Sequence, residues 1–365
     1  MPDYETLQLV WWLLIAVLFT GFALTDGFDM GVGALLPFVG HSDSERRVLI
    51  NAIAPHWDGN QVWFILAAGA IFAAWPPVYG TAFSLFYAPL MVALFALFLR
   101  PVGFDYRSKL EDPRWRAWWD WGLWVGSTLP PFIMGVAFGN LFLGLPFRVD
   151  ELQRTVIDPS RLDLLHPFAL LCGVLGLALV VVHGAAYAAL RTDAALQRRL
   201  VNAARIAAAL AALAFTGAGL WLGGLHGLRL ENGVVVVLEG AWLGNYDRWP
   251  FMAALPVVAL AGLALAAFGI ARRPWLAFAG SSMAIVGVLF TGGLSLFPFV
   301  VPSTLAPAAS LTVFNATSSR YTLLVMLGAV LVFVPLVLAY TLWAYRRLWG
   351  RVTTRLVEEQ RHSLY

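Results

Sequence analysis

The chain has 365 residues, 60% of them hydrophobic and 12% charged, with a mean hydropathy of +0.75. Soluble domains carry about 25% charged residues, so this composition excludes a soluble globular domain and defines a polytopic membrane protein. The net charge of +3 arises from basic residues in short connecting loops, which excludes a nucleic-acid surface, and the single cysteine, Cys172, excludes an internal disulfide and a cysteine metal site.

Met1 to Glu5 lacks a basic n-region and leads directly into a full-length span, which predicts no cleavable signal peptide. Nine apolar runs are long enough to cross a hydrocarbon core of about 30 Å. They fall near 7–38, 52–75, 78–100, 118–143, 164–190, 201–226, 250–271, 275–297 and 321–348. Arg272-Arg273-Pro274 separates the seventh and eighth with almost no loop. The outer loops near 144–163, 227–249 and 298–320 are too short for independent domains. Residues 1–365 therefore read as one all-α integral membrane domain. In a nine-span layout every Lys and Arg falls on one side except Arg148, Arg154, Arg161, Arg229, Arg248 and Arg320. The positive-inside rule then puts the N-terminus outside and the C-terminus in the cytoplasm, and an even number of spans would scramble that bias.

Two stretches carry polar residues into this apolar background. The first span contains Asp26-Gly-Phe-Asp-Met-Gly-Val-Gly33, with Asp26 and Asp29 three residues apart and so near one face of its inner half. The second opens with Asn51 to Trp63 and carries His56, Asp58, Asn60 and Gln61. A charged residue at the bilayer centre costs about 3 kcal/mol on insertion scales, so each needs a partner, a water path or a chemical task. Arg100 closes the third predicted span at the cytoplasmic side, Asp105, Lys109 and Asp120 follow in or beside the next loop, and His183 lies in the inner part of the fifth span. One reading is that these groups pair to hold helices together, with Arg100 or a helix end satisfying Asp26. The other is a proton path running from the surface at Asp120 through Lys109 and Asp105 to Asp58, the deepest of the four, where His56, Asn60 and Gln61 order water. Gly27, Gly31 and Gly33 read as close-packing positions. Haem needs axial His, Met or Cys; His56, His183, Met30 and Met134 are the candidates, and no pair has decisive spacing. No cofactor or metal ligand set and no catalytic residue is assigned to this chain.

The segments Gly27 to Gly33, Pro55-His-Trp-Asp-Gly-Asn-Gln-Val-Trp63, Arg100-Pro-Val-Gly-Phe-Asp-Tyr-Arg107 and Gly135-Val-Ala-Phe-Gly-Asn140 resemble subunit II of the cytochrome bd-type quinol oxidases. Phe297-Pro-Phe-Val-Val-Pro302, Ser310-Leu-Thr312 and the terminal His362-Ser-Leu-Tyr365 extend the likeness almost end to end. The resemblance implies two four-helix bundles plus one extra helix in a bacterial inner membrane. It also implies a complex that oxidises quinol and reduces O2 to water while building a proton gradient. Haem b and haem d (or b alone in cyanide-insensitive members) sit in the partner, subunit I; this chain binds none, although some members hold a structural quinone here. It stabilises subunit I, and residue by residue the proton path falls on Asp58, Asp105, Lys109 and Asp120. Membrane lipid and a small single-span accessory subunit are the further partners the resemblance allows. Two other classes compete: a single-chain proton-coupled secondary transporter, for which no inverted repeat is visible, and a purely structural membrane scaffold.

Overall fold

The computed structural model describes residues 3–152, 154–360 and 365; of the terminal motif, His362 to Leu364 lie outside the described residues. In chain order the α-helices are α1 (Tyr4–Val39), α2 (Asp43–Ile53), α3 (Trp57–Ala74), α4 (Pro76–Leu85), α5 (Tyr87–Arg107), α6 (Pro113–Leu143), α7 (Pro167–Arg191), α8 (Ala194–Leu222), α9 (Gly244–Arg248), α10 (Ala254–Gly269), α11 (Pro274–Leu296), α12 (Arg320–Arg347) and α13 (Thr354–Glu359). Three small antiparallel pairs occupy the outer loops: β1 (Phe147–Val149) with β2 (Thr155–Ile157), β3 (His226–Glu231) with β4 (Val234–Glu239), and β5 (Phe299–Val301) with β6 (Leu311–Thr312).

Among the described residues, eight helices are long and apolar enough to cross a membrane: α1, α5, α6, α7, α8, α10 with the 3-10 turn before it, α11 and α12. The remaining predicted span, 52–75, corresponds to α3. Its 18 residues rise about 27 Å, and a first turn holding Asp58, Asn60 and Gln61 lowers its hydropathy. Two predicted spans are also interrupted. The run expected from 52 is α2, a turn at Ala54 to His56, and then α3, because Pro55 removes a backbone donor and clashes with the preceding turn. The run expected from 78 breaks at Phe86, between α4 and α5. Arg100 does not end its helix: α5 continues through Pro101 for two more turns to Arg107. The divide at Arg272 to Pro274 falls between α10 and α11 as expected.

The first bundle is α1, α3, α5 and α6, and the second is α7, α8, α10 and α11. Helices α1 and α6 join the two by packing on α7. The join uses glycine. A Cβ on Gly31 would lie 1.9 Å from the Val180 carbonyl and 2.8 Å from the Gly184 backbone, so α1 and α7 touch main chain to main chain. A Cβ on Gly33 would lie 2.0 Å from the Ser127 side-chain hydroxyl of α6, whereas Gly27 meets only ordinary side-chain contact with Val180. Helix α12 is the extra one: only 6% of its span is buried. It is pinned at its ends, by Trp11 donating to the Leu323 carbonyl (3.1 Å) and by Tyr345 near the other end.

Helix α2 lies across the ends of the helices that carry the basic residues. A capping box between Ser42 and Glu45 starts it, and Val48, Leu49, Ile50 and Ile53 bury its apolar side. Glu45 pairs with Arg199 of α8, which also donates to the Val39 carbonyl. The Arg199 hydrogen bond is the main reason the Glu45 carboxyl is held down at about 2.

Candidate functional site

The polar residues singled out in the sequence divide into three groups. In the first, Arg100 of α5 grips Asp26 of α1 with both nitrogens, at 2.9 and 2.6 Å, and neither side chain exceeds 1% exposure. The Arg100 guanidinium also lies 5.9 Å from the Trp57 ring. A planar fork on a carboxylate fixes direction as well as distance, so this pair ties α1 to α5 inside the first bundle.

The second group lies one turn further along α1. Asp29 is fully buried and its Oδ2 accepts from Asn60 Nδ2 at 2.7 Å. Asn60 Oδ1 in turn accepts from the Tyr345 hydroxyl of α12 at 2.7 Å, and the His56 ring stacks on Tyr345 with centroids 4.1 Å apart. His56 and Asn60 share a face because they are four residues apart. Asp29 Oδ1 and His56 Nε2 are buried with no hydrogen-bond partner among the described residues. Buried polar atoms of this kind ordinarily pair with a further polar group or with water. Sequence reasoning missed Tyr345. Its signal was weak: a tyrosine beside Arg346-Arg347 looks like an interfacial belt residue.

The third group lies at the end of the bundle that carries most of the basic residues. Asp58 is exposed on the surface of this chain, as are Asp105 and Lys109, while Gln61 is half-buried. Of the four residues of the expected route, Asp58 is therefore not the most buried, contrary to the expectation; Asp120 is. The reason is helical phase. Asp58 and Asn60 are two residues apart in the first turn of α3 and point to opposite sides, Asn60 inward and Asp58 outward. Asp120, expected at an exposed entrance, is 1% exposed and held by two arginines. Arg107 reaches it at 2.5 Å and Arg46 at 2.7 Å, and Asp43 joins Arg107 and Arg116 to the same network, each at 2.9 Å. Asp120 thereby anchors α6 to α2 and α5.

Tyr365 brings Asp58 and Asp105 together. Its backbone nitrogen donates to Asn51 Oδ1 (3.0 Å), and its oxygen accepts from Asn51 Nδ2 (2.8 Å) and Arg47 Nε (2.9 Å). The phenol is pushed up, first by burial, then by the charge of Asp105 and a hydrogen bond with it, and last by the charge of Asp58. Both carboxylates are therefore within electrostatic reach of one ring.

His183 is a fastener. Its Nδ1 pairs with Ser281 Oγ (2.8 Å), its Nε2 with the Leu24 carbonyl (2.9 Å), and Phe278 stacks on the ring at 4.6 Å. Both ring nitrogens are engaged between α1, α7 and α11. Among the described residues no three His, Cys, Asp or Glu side chains form a metal-binding group.

A polytopic helical bundle with paired buried charges and open carboxylates at one end defines a multi-pass membrane protein with polar sites built inside it. The family follows from comparison. Residues 7–348 match the family model described as Cytochrome bd terminal oxidase subunit II. The chain is 47% identical over 380 residues to Cytochrome bd-I ubiquinol oxidase subunit 2 of Escherichia coli strain K12, covering 100% of both. It is 46% identical to Probable cytochrome oxidase subunit 2 of Haemophilus influenzae over 378 residues, again covering 100% of both. It is 37% identical to Cytochrome bd ubiquinol oxidase subunit 2 of Bacillus subtilis over 354 residues, covering 94% of this chain and 96% of that one. The fold is similar to that of a chain of the bd oxidase from Geobacillus thermodenitrificans, with a TM-score of 0.72 at 17% identity, covering 94% and 98% of the two chains. The chain belongs to the cytochrome bd terminal oxidase subunit II family.

Proposed function

We propose that this chain is the non-haem subunit of a bacterial inner-membrane quinol oxidase, stabilising the haem-bearing subunit I and giving it protons from the cytoplasm. The observation that carries the reading is that Asp58, Asp105 and Lys109 are all exposed, open to water and to a partner, while Asp26 and Asp120 are buried and clasped by arginines. Reduction of O2 to water consumes protons, and the haems of the partner supply the electrons. This chain's residues then take up a proton at Asp105 or Lys109 and pass it to Asp58 at the partner's edge. Asp26 is unsuited to that traffic because Arg100 occupies both its oxygens. A single-chain transporter would instead need its own exchangeable site between the bundles.

The test is Asp58→Asn in the intact oxidase. The variant keeps volume and hydrogen bonding but loses the titratable group. It is expected to assemble with full haem content, to consume O2 more slowly and to take up protons more slowly in a single turnover. Normal uptake would overturn the path role, and loss of the complex would favour the scaffold reading.

A structural quinone on this chain is favoured by one observation. A cavity of about 320 Å³ between the first bundle, α4 and α11 is walled by apolar side chains such as Phe64, Ile71 and Phe83. Trp75 also lines it, 2% exposed, with its indole Nε1 buried and without a hydrogen-bond partner among the described residues. The indole N–H suits a quinone carbonyl oxygen and the walls suit a prenyl tail. Trp75→Phe should lower the quinone retained per haem on purification; an unchanged ratio overturns it.

A further inference from the structure

A second, larger cavity of about 620 Å³ lies within the second bundle, where α7, α8, α10 and α11 meet α1 and α6. Protein interiors are close-packed, so an apolar cavity of this size offers room for a ligand. Its walls are hydrophobic along the whole depth, and its polar residues gather at one end, where Thr291, Ser295, Tyr246 and Asp247 stand. Ser295 donates to the Tyr246 hydroxyl at 3.3 Å, which seals that end between α9 and α11.

Depth identifies the kind of occupant. Helix α11 runs from the basic side to the outer side, and Ile285 and Ser295 both line the cavity. Ten residues of helix separate them, a rise of about 15 Å. That is half of a hydrocarbon core of about 30 Å, or one leaflet. The cavity therefore has the length of one acyl chain, reaching from the outer interface to the bilayer centre. Gly219 of α8 is exposed at its edge, with open space where a Cβ would stand, so the side facing lipid is not closed by side chains. At the polar end Asp247 is exposed and is followed by Arg248, whose guanidinium lies 4.7 Å from the Trp249 ring. Adjacent acidic and basic groups complement a headgroup that carries both an amine and a phosphate, and a neutral headgroup would leave both charges unanswered.

We propose that this cavity is a binding site for one outer-leaflet phospholipid with an amine headgroup, its acyl chain between α8 and α10 and its head at Asp247 and Arg248. The test is native mass spectrometry of the intact oxidase complex with phosphatidylethanolamine and phosphatidylglycerol supplied in equal amounts. Gly219→Trp plugs the opening and should lower retained phosphatidylethanolamine at least fivefold. Gly328→Trp, on the exposed face of α12, should leave it unchanged. Asp247→Asn should shift the phosphatidylethanolamine-to-phosphatidylglycerol ratio at least threefold toward the glycerol lipid. Cys172 lines the cavity and gives a readout that needs no variant: delipidation should speed its reaction with an apolar thiol reagent, and added phosphatidylethanolamine should slow it again. Unchanged lipid in Gly219→Trp, equal loss in Gly328→Trp, loss of an isoprenoid mass in place of a phospholipid, or a Cys172 rate indifferent to lipid would each overturn the site. If Gly219→Trp does not assemble, an unchanged headgroup ratio in Asp247→Asn overturns it.

Discussion

Replacing Arg100 by alanine tests whether the first bundle is held by its buried ion pair. Asp26 is 0% exposed and Arg100 supplies two hydrogen bonds to its carboxylate, so the variant leaves a charge in the interior with no partner of opposite sign. Breaking a buried pair in this way costs about 3–5 kcal/mol. Asp29 sharpens the loss: it is also fully buried, its one polar partner is Asn60, and Arg100 is the cation in its electrostatic surroundings. For a large chain about 2 °C of melting temperature corresponds to 1 kcal/mol, so the expected fall is about 6–10 °C. The assay is thermal unfolding of the detergent-solubilised complex, followed together with haem retention. The double variant Asp26→Asn with Arg100→Ala removes the orphaned charge and should recover more than half of the loss. A single variant that melts like the parent would show that Arg100 is only a positive-inside residue. A double variant no better than the single would show that the two residues are not coupled.

Gly31→Ala forces a Cβ to within 1.9 Å of the Val180 carbonyl, backbone against backbone, so α1 and α7 have to separate. A loss at or above the usual overpacking cost of about 1–3 kcal/mol is expected, read as reduced yield and melting temperature of the complex. The carboxyl of Glu45 is held at about 2 against an ordinary 4.5. A depressed folded value means stability that is fully present above about 4.5 and drains away as the pH falls toward about 2. Glu45→Gln should remove that part of the acid limb, and an unaltered profile of melting temperature against pH would refute the Arg199 pairing. Tyr345→Phe keeps the stack on His56 but removes the donor to Asn60, for an expected loss of about 1 kcal/mol and a less ordered Asn60; no change in melting would show the bond to be spectator geometry.

The broad architecture was legible because bilayer thickness leaves few solutions: an apolar run of sufficient length has to be a helix. The pairing of Asp26 with Arg100 was legible for the same reason, since a buried carboxylate in lipid needs a cation. Detail failed where hydropathy is blind. Residues 43–53 are too polar to resemble a span and too short to stand out, yet they form α2, fixed by a capping box and by Arg199. The window that reads 52–75 as one span averages over Pro55, which breaks it. Asp58 and Asn60 read as one polar cluster in a linear string, although helical geometry sends them to opposite sides. Asp120 was placed at the surface because it opens a span beside a loop, but Arg46 and Arg107 arrive from sequence positions that give no sign of proximity.

The division between buried and open carboxylates bears on where protons travel. A carboxylate that exchanges protons at every turnover has to meet water and change its charge without unfolding its surroundings. Asp26 and Asp120 fail that condition, because each is clasped by arginine and each loses its pairing when protonated. Asp58 and Asp105 meet it, since both are exposed and neither is among the ion pairs of the described residues. Yet an exposed group alone is no path, because a path needs walls that exclude other routes. On this reading the chain supplies half of a channel, and the walls opposite Asp58 come from subunit I. The consequence is testable without activity. In the isolated chain a water-soluble carbodiimide should modify Asp58 and Asp105 alike, whereas in the oxidase Asp58 should be protected and Asp105 should remain reactive. Equal protection of both would place the whole route inside the interface, and equal reactivity of both in the oxidase would remove the shared channel from the argument.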